Sequence, residues 1–191
     1  MIPGLNLGRR QFSELSEQEV LALAISAEED DARIYLSYAE RLREEFPDSA
    51  KIFEGMAAEE DRHRQRLIEL HKARFGDTIP LIRREHVAGF YARRPVWLMR
   101  NLGLDRIRDE AAGMEREAHN FYLKAAQSTT DANTRQLLGD LATAEAGHQR
   151  TAEQLEKKHL PTEVLESEDH AAHRHSSPAW VEPGLAGLMD G

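Results

Sequence analysis

The sequence predicts an all-α fold of four long helices, arranged as two antiparallel hairpins joined by a long crossover. Three observations carry that prediction. Apolar residues recur at helical spacing and never settle into the two-residue period of a strand. A short turn separates each of two pairs of long periodic segments, which makes each pair a helical hairpin. Between the pairs, residues 77–104 form a connection interrupted by Pro80, Gly89, Pro95 and Gly103.

The first helix opens at Ser16-Glu17-Gln18-Glu19, which has the form of a capping box with Ser16 as N-cap and Glu19 at the third helical position. Val20, Leu21, Ala24, Ala27, Ile34, Tyr35, Tyr38 and Leu42 carry its apolar stripe to about Glu45. Pro47 suits the first turn of a second helix that runs to Phe75 and stops at Gly76. The third helix spans about Asp105 to Ser128, and the fourth runs from near Asp131 to His159, before Pro161. Within the crossover, Leu81 to Tyr91 is expected to form a short extra helix.

Composition narrows the chemistry. The chain has 191 residues, enough for one domain plus extensions, and its net charge of -9 argues against a nucleic-acid footprint. It has no cysteine, so thiolate zinc sites, iron–sulfur clusters and four-cysteine iron centres are excluded, and any metal must be held by histidine and carboxylate. Met1 to Arg10 does not read as a secretory signal, and no uninterrupted apolar run is long enough to cross a bilayer.

The candidate ligands form a repeat. Helix one carries Glu28 and, seven residues on, Tyr35; helix three carries Glu115 and, seven residues on, Tyr122. Helix two carries Glu60 and His63, and helix four Glu145 and His148, each a Glu-x-x-His pair. Spacings of seven and three each return to nearly the same helix face. Counted from the hairpin turns, Glu28 lies level with Glu60, and Glu115 with Glu145. Four glutamates balance the charge of two divalent ions and can bridge them, while one histidine per ion adds a neutral nitrogen ligand. The expected ligands are therefore Glu28, Glu60, His63, Glu115, Glu145 and His148, with Tyr35 and Tyr122 behind them, orienting a glutamate through the phenol. No separate catalytic residue is assigned. Glu29, Glu59 and His119 are alternatives on adjacent or similar positions. Glu156-Lys157-Lys158-His159 repeats the Glu-x-x-His spacing with no Glu-x6-Tyr partner and reads as solvated surface, while His170, His173 and His175 lie in a short polar tail that reads as disordered, with transient metal binding as the alternative.

These residues, with Ala27 to Tyr35 and Glu115 to Tyr122 around them, resemble the rubrerythrin/erythrin branch of the ferritin-like superfamily over residues 16–160. The resemblance implies a ferritin-like four-helix bundle and two iron ions, with Mn2+ or Zn2+ as substitutes and ferroxidase or peroxidase activity as expectations. Ferritins usually lack the second histidine. Two departures stand out: Ala112 occupies the position of an additional rubrerythrin glutamate, and no rubredoxin domain is present. The segment Gly184 to Gly191 is similar to the start of the first membrane helix in the vacuolar iron transporter family. An erythrin-like domain ahead of such a transporter is the arrangement of bacterial membrane-bound ferritin A proteins. That similarity implies a soluble fragment from the cytoplasmic face of the bacterial inner membrane, with a role in iron export and resistance to iron and peroxide stress. The expected organisation is an N-terminal extension (1–15), the di-metal domain (16–160), and a polar linker (161–191) leading to the chain's own membrane transport domain. A homodimer is expected, with helix exchange through the long crossover as one way to build it.

Overall fold

A computed structural model describes residues 9–88 and 103–154 of the chain. It contains four long helices: α1 (Glu17–Leu42), α2 (Pro47–Phe75), α3 (Leu104–Ser128) and α4 (Ala132–Gln154). Among the described residues there is no strand, only an isolated bridge between Arg10 and Val87. None of these helices is long and apolar enough to cross a membrane.

The helix ends follow from local chemistry. The Ser16 hydroxyl accepts from the Glu19 backbone N–H at 3.3 Å, and the Glu19 carboxylate accepts from the Ser16 N–H at 2.9 Å, which completes the capping box. α1 ends at Leu42, one turn earlier than Glu45, and Pro47 opens α2 where its missing N–H has no helical partner. Gly76 closes α2 at φ 83°, a left-handed value at which a side chain would be strained. Asp131 caps α4 by accepting from the Thr134 N–H at 2.8 Å and from its hydroxyl at 2.9 Å.

The expected extra helix in the crossover is, in its described part, a single 3-10 turn at Arg84–His86. Neighbouring backbone is engaged elsewhere: the Arg10 N–H donates to the His86 carbonyl at 2.9 Å, and the Ala88 N–H donates to the Arg10 carbonyl at 2.7 Å. Arg84 itself is buried and forms a two-pronged ion pair with buried Asp31 of α1, one contact at 2.8 Å, and also donates to the Ala27 carbonyl at 3.4 Å. These bonds pin the crossover to α1 in a conformation that a continuous helix would not allow.

α1 packs along α2 and α3 along α4, while the α1/α3 and α2/α4 approaches are sparser. Two apolar clusters fill the bundle. One gathers Tyr35, Tyr38, Phe53, Met56 and Ile107; the other gathers Leu21, Leu23, Leu67, Phe121 and Leu138. On each of α1, α2 and α3, the candidate ligands fall between the stretches that feed the two clusters, and on α4 they follow the Leu138–Ala142 stretch of the second. The polar layer thus lies between two apolar plugs that exclude water from both sides. The far end of α4, the third Glu-x-x-His pair, the histidine-bearing tail, the segment Gly184 to Gly191 and crossover positions Gly89 and Pro95 lie outside the described residues.

Candidate metal centre

All six expected ligands converge. Glu28, Glu60, His63 and Glu145 form one group, and Glu60, Glu115, Glu145 and His148 form another, in each of which the ligand atoms lie within 4.8 Å of one another. The four glutamates are each 3% exposed or less, and both histidines are nearly buried.

The distances separate the carboxylates into two kinds. His63 Nδ1 faces Glu28 at 3.7 Å, Glu60 Oε2 at 3.5 Å and Glu145 Oε1 at 3.2 Å. His148 Nδ1 faces Glu115 at 3.6 Å, Glu60 Oε1 at 3.6 Å and Glu145 Oε2 at 3.7 Å. Glu60 and Glu145 each turn one oxygen to each histidine, whereas Glu28 serves only the first group and Glu115 only the second. The imidazole rings lie nearly parallel, 5.7 Å between centroids.

The tyrosines reach across the bundle. Tyr35 on α1 donates to Glu115 on α3 at 2.5 Å, and Tyr122 on α3 donates to Glu28 on α1. This reciprocal pairing of 35 with 115 and 28 with 122 requires α1 and α3 to run antiparallel, related by an approximate two-fold axis through the site. A tyrosine seven residues beyond a glutamate therefore orients the glutamate of the other half, not its own. Both phenols are pushed well up by burial and by nearby carboxylates, so they remain protonated donors.

The alternatives fall in other places. Glu29 points outward and pairs with Arg33 at 2.6 Å. His119 Nδ1 lies 2.6 Å from the Ala142 carbonyl and ties α3 to α4. Glu59 is half-buried and contacts Nε2 of His148, the ring nitrogen that faces away from the group.

The electrostatics describe a pocket that demands positive charge. Burial, then the neighbouring Glu60 charge, pushes the Glu28 carboxyl well up, and burial likewise raises Glu115. Burial opposes charge on His63, but the facing carboxylates of Glu145, Glu28 and Glu60 outweigh it and carry the imidazole up to about 11. His148 moves the same way for the same reason, while Glu60 and Glu145 move down because the two imidazoles and the neighbouring Glu28 and Glu115 carboxyls outweigh burial. Glu28 and Glu115 thus retain protons, while Glu60 and Glu145 stay charged beside two imidazolium ions. Divalent cations would take the place of those protons.

His63 Nδ1, His148 Nδ1, Glu115 Oε2 and Glu145 Oε1 are among the buried side-chain atoms that make no hydrogen bond, as are Ser26 Oγ and both ring nitrogens of His71. Buried polar atoms are rarely left without a partner, and the first four belong to the two groups. With an all-oxygen-and-nitrogen donor set, those four fit a pair of divalent ions.

Four helices with paired carboxylate–histidine groups between them define a bundle built for a two-metal centre. The rubrerythrin family profile matches residues 19–156, and the chain belongs to that family. Among solved structures, a hypothetical protein from Pyrococcus furiosus is 26% identical with a TM-score of 0.61, covering 80% of this chain and 94% of that one. A candidate ferritin-like diiron-carboxylate protein from Thermotoga maritima is 17% identical with a TM-score of 0.59, covering 75% of this chain and 96% of that one, a likeness of fold. No curated protein matches.

Proposed function

We propose that this domain binds two Fe(II) ions: Glu28 and His63 would hold one, Glu115 and His148 the other, and Glu60 and Glu145, which belong to both groups, would serve both. The observation that carries this reading is the sharing of Glu60 and Glu145 between the two groups. Iron held there would supply electrons to dioxygen or peroxide. The chain's own part is positional. Tyr35 and Tyr122 hold Glu115 and Glu28 in place, His63 and His148 present Nδ1 once their protons leave, and the two apolar clusters keep bulk water away.

The wider role we propose is iron handling for an attached membrane transport domain: binding, oxidising or sensing Fe(II) ahead of export, in a homodimeric protein at the cytoplasmic face of the inner membrane. The similarity of Gly184 to Gly191 to a transporter's opening segment supports this reading. Anaerobic titration should show about two tightly bound Fe(II) per chain, and the Glu60→Ala/Glu145→Ala double variant should lose that stoichiometry. Unchanged stoichiometry in the double variant would refute the assignment. Reoxidation of the loaded centre by peroxide much faster than by dioxygen would move the chemistry to peroxide reduction with an external reductant. Light scattering at the mass of a large cage would exclude the dimer.

A further inference from the structure

The two halves of the centre are not equivalent. His148 carries a carboxylate on the nitrogen that faces away from the ligand group, because Glu59 of α2 contacts its Nε2. Arg62 holds the other oxygen of Glu59 at 3.3 Å. The carboxylates near His63 all approach Nδ1. Glu60 corresponds to Glu145 and His63 to His148, so the α4 counterpart of Glu59 is Ala144, whose methyl group can accept nothing. The second-half imidazole is backed by a carboxylate, and the first-half imidazole has no such group at the equivalent position.

A carboxylate on the outer N–H of a ligating imidazole fixes its tautomer and ring orientation and raises its basicity toward a metal. We propose that Glu59 is a positioning residue for His148, and that it makes the Glu60/Glu115/Glu145/His148 position bind a divalent ion more tightly than its neighbour, so that the two positions fill in order. This rests on the two-metal reading above. Glu59 would not itself be a ligand. Its contact is with Nε2, while His148 turns Nδ1 toward Glu60, Glu115 and Glu145.

The test is calorimetric titration of the metal-free chain with Mn(II), without any turnover. The wild-type chain should show two binding events of different affinity. In Glu59→Ala the tighter event should weaken about 10–100-fold while the other stays unchanged. Glu59→Gln, whose amide oxygen still accepts from Nε2–H, should recover part of the loss, and Ala144→Glu should bring the two events closer together by strengthening the weaker one. Glu59 is only half-buried, so matching melting curves for the metal-free variants should show that the fold is intact. Equal weakening of both events, or of neither, overturns the inference, as does complete loss of one ion in both Glu59→Ala and Glu59→Gln, which would make Glu59 a ligand. A wild-type chain that binds no Mn(II) would overturn the two-metal reading itself. Two events that Glu59→Ala leaves untouched would overturn only the inequivalence.

Discussion

Arg84→Met should be among the most destabilising single substitutions outside the metal centre. Arg84 and Asp31 are 7% and 6% exposed, and their ion pair is two-pronged. Methionine keeps much of the aliphatic stem but takes the two-pronged Arg84 charge away from the buried Asp31 carboxylate. Removing one partner of a buried pair costs about 3–5 kcal/mol, against about 0–1 kcal/mol for exposed pairs such as Arg43–Glu54. At roughly 2–4 °C per kcal/mol for a chain of this size, the melting temperature should fall by about 10 °C. Urea denaturation followed by circular dichroism measures the loss directly. The double variant Arg84→Met/Asp31→Leu should regain most of it, because no charge is then stranded. A loss below about 1 kcal/mol in the single variant, or a double variant worse than the single, would refute the idea that the pair pins the crossover to the bundle.

Three further outcomes follow from the same structure. Tyr122→Phe leaves the buried Glu28 carboxylate without its donor and should cost about 1–3 kcal/mol in urea melts of the metal-free protein. Phe53→Ala, at a fully buried ring packed against both Tyr35 and Tyr38, should cost about 3–5 kcal/mol by the same assay. The Arg10 hydrogen bond, with that of the Ser16 N–H, holds the Glu19 carboxyl down to about 2 from an ordinary value of 4.5. Its contribution is therefore full above about pH 4.5 and is lost as the pH falls toward 2, so denaturation midpoints of Glu19→Gln should change less than wild type across that window.

Much of this architecture is legible in the residues themselves. Ser16, Pro47 and Gly76 punctuate the helices because caps and φ restrictions act locally, and the structure ends its elements there. The convergence of the six candidate ligands is legible because spacings of three and seven stay on one helix face, and because the pattern occurs twice. What one helix faces on another is a matter of register between elements, which no single-helix period encodes. That is why the tyrosines' choice of the opposite glutamate, the contact of Glu59 with His148 and the burial of Arg84 against Asp31 emerge only from the assembled bundle. The crossover turn belongs to the same class, since its backbone is set by pairing with Arg10 and by the ion pair with α1.

Each metal group takes three donors from one hairpin and a fourth from the other. A single hairpin could not complete either group, but two copies of one hairpin, related by a two-fold axis, would complete both. The chain therefore has the form of an ancestral half-length dimer tied head to tail, and the tie has a consequence that the dimer could not share. In a symmetric dimer every substitution appears on both sides of the axis at once. Once the halves lie on one chain, each can differ alone, and here they do: Glu59 answers to Ala144, and Asp31, which anchors the crossover, answers to Ala118. With both halves on one chain, the two sides of a two-fold centre can be tuned apart.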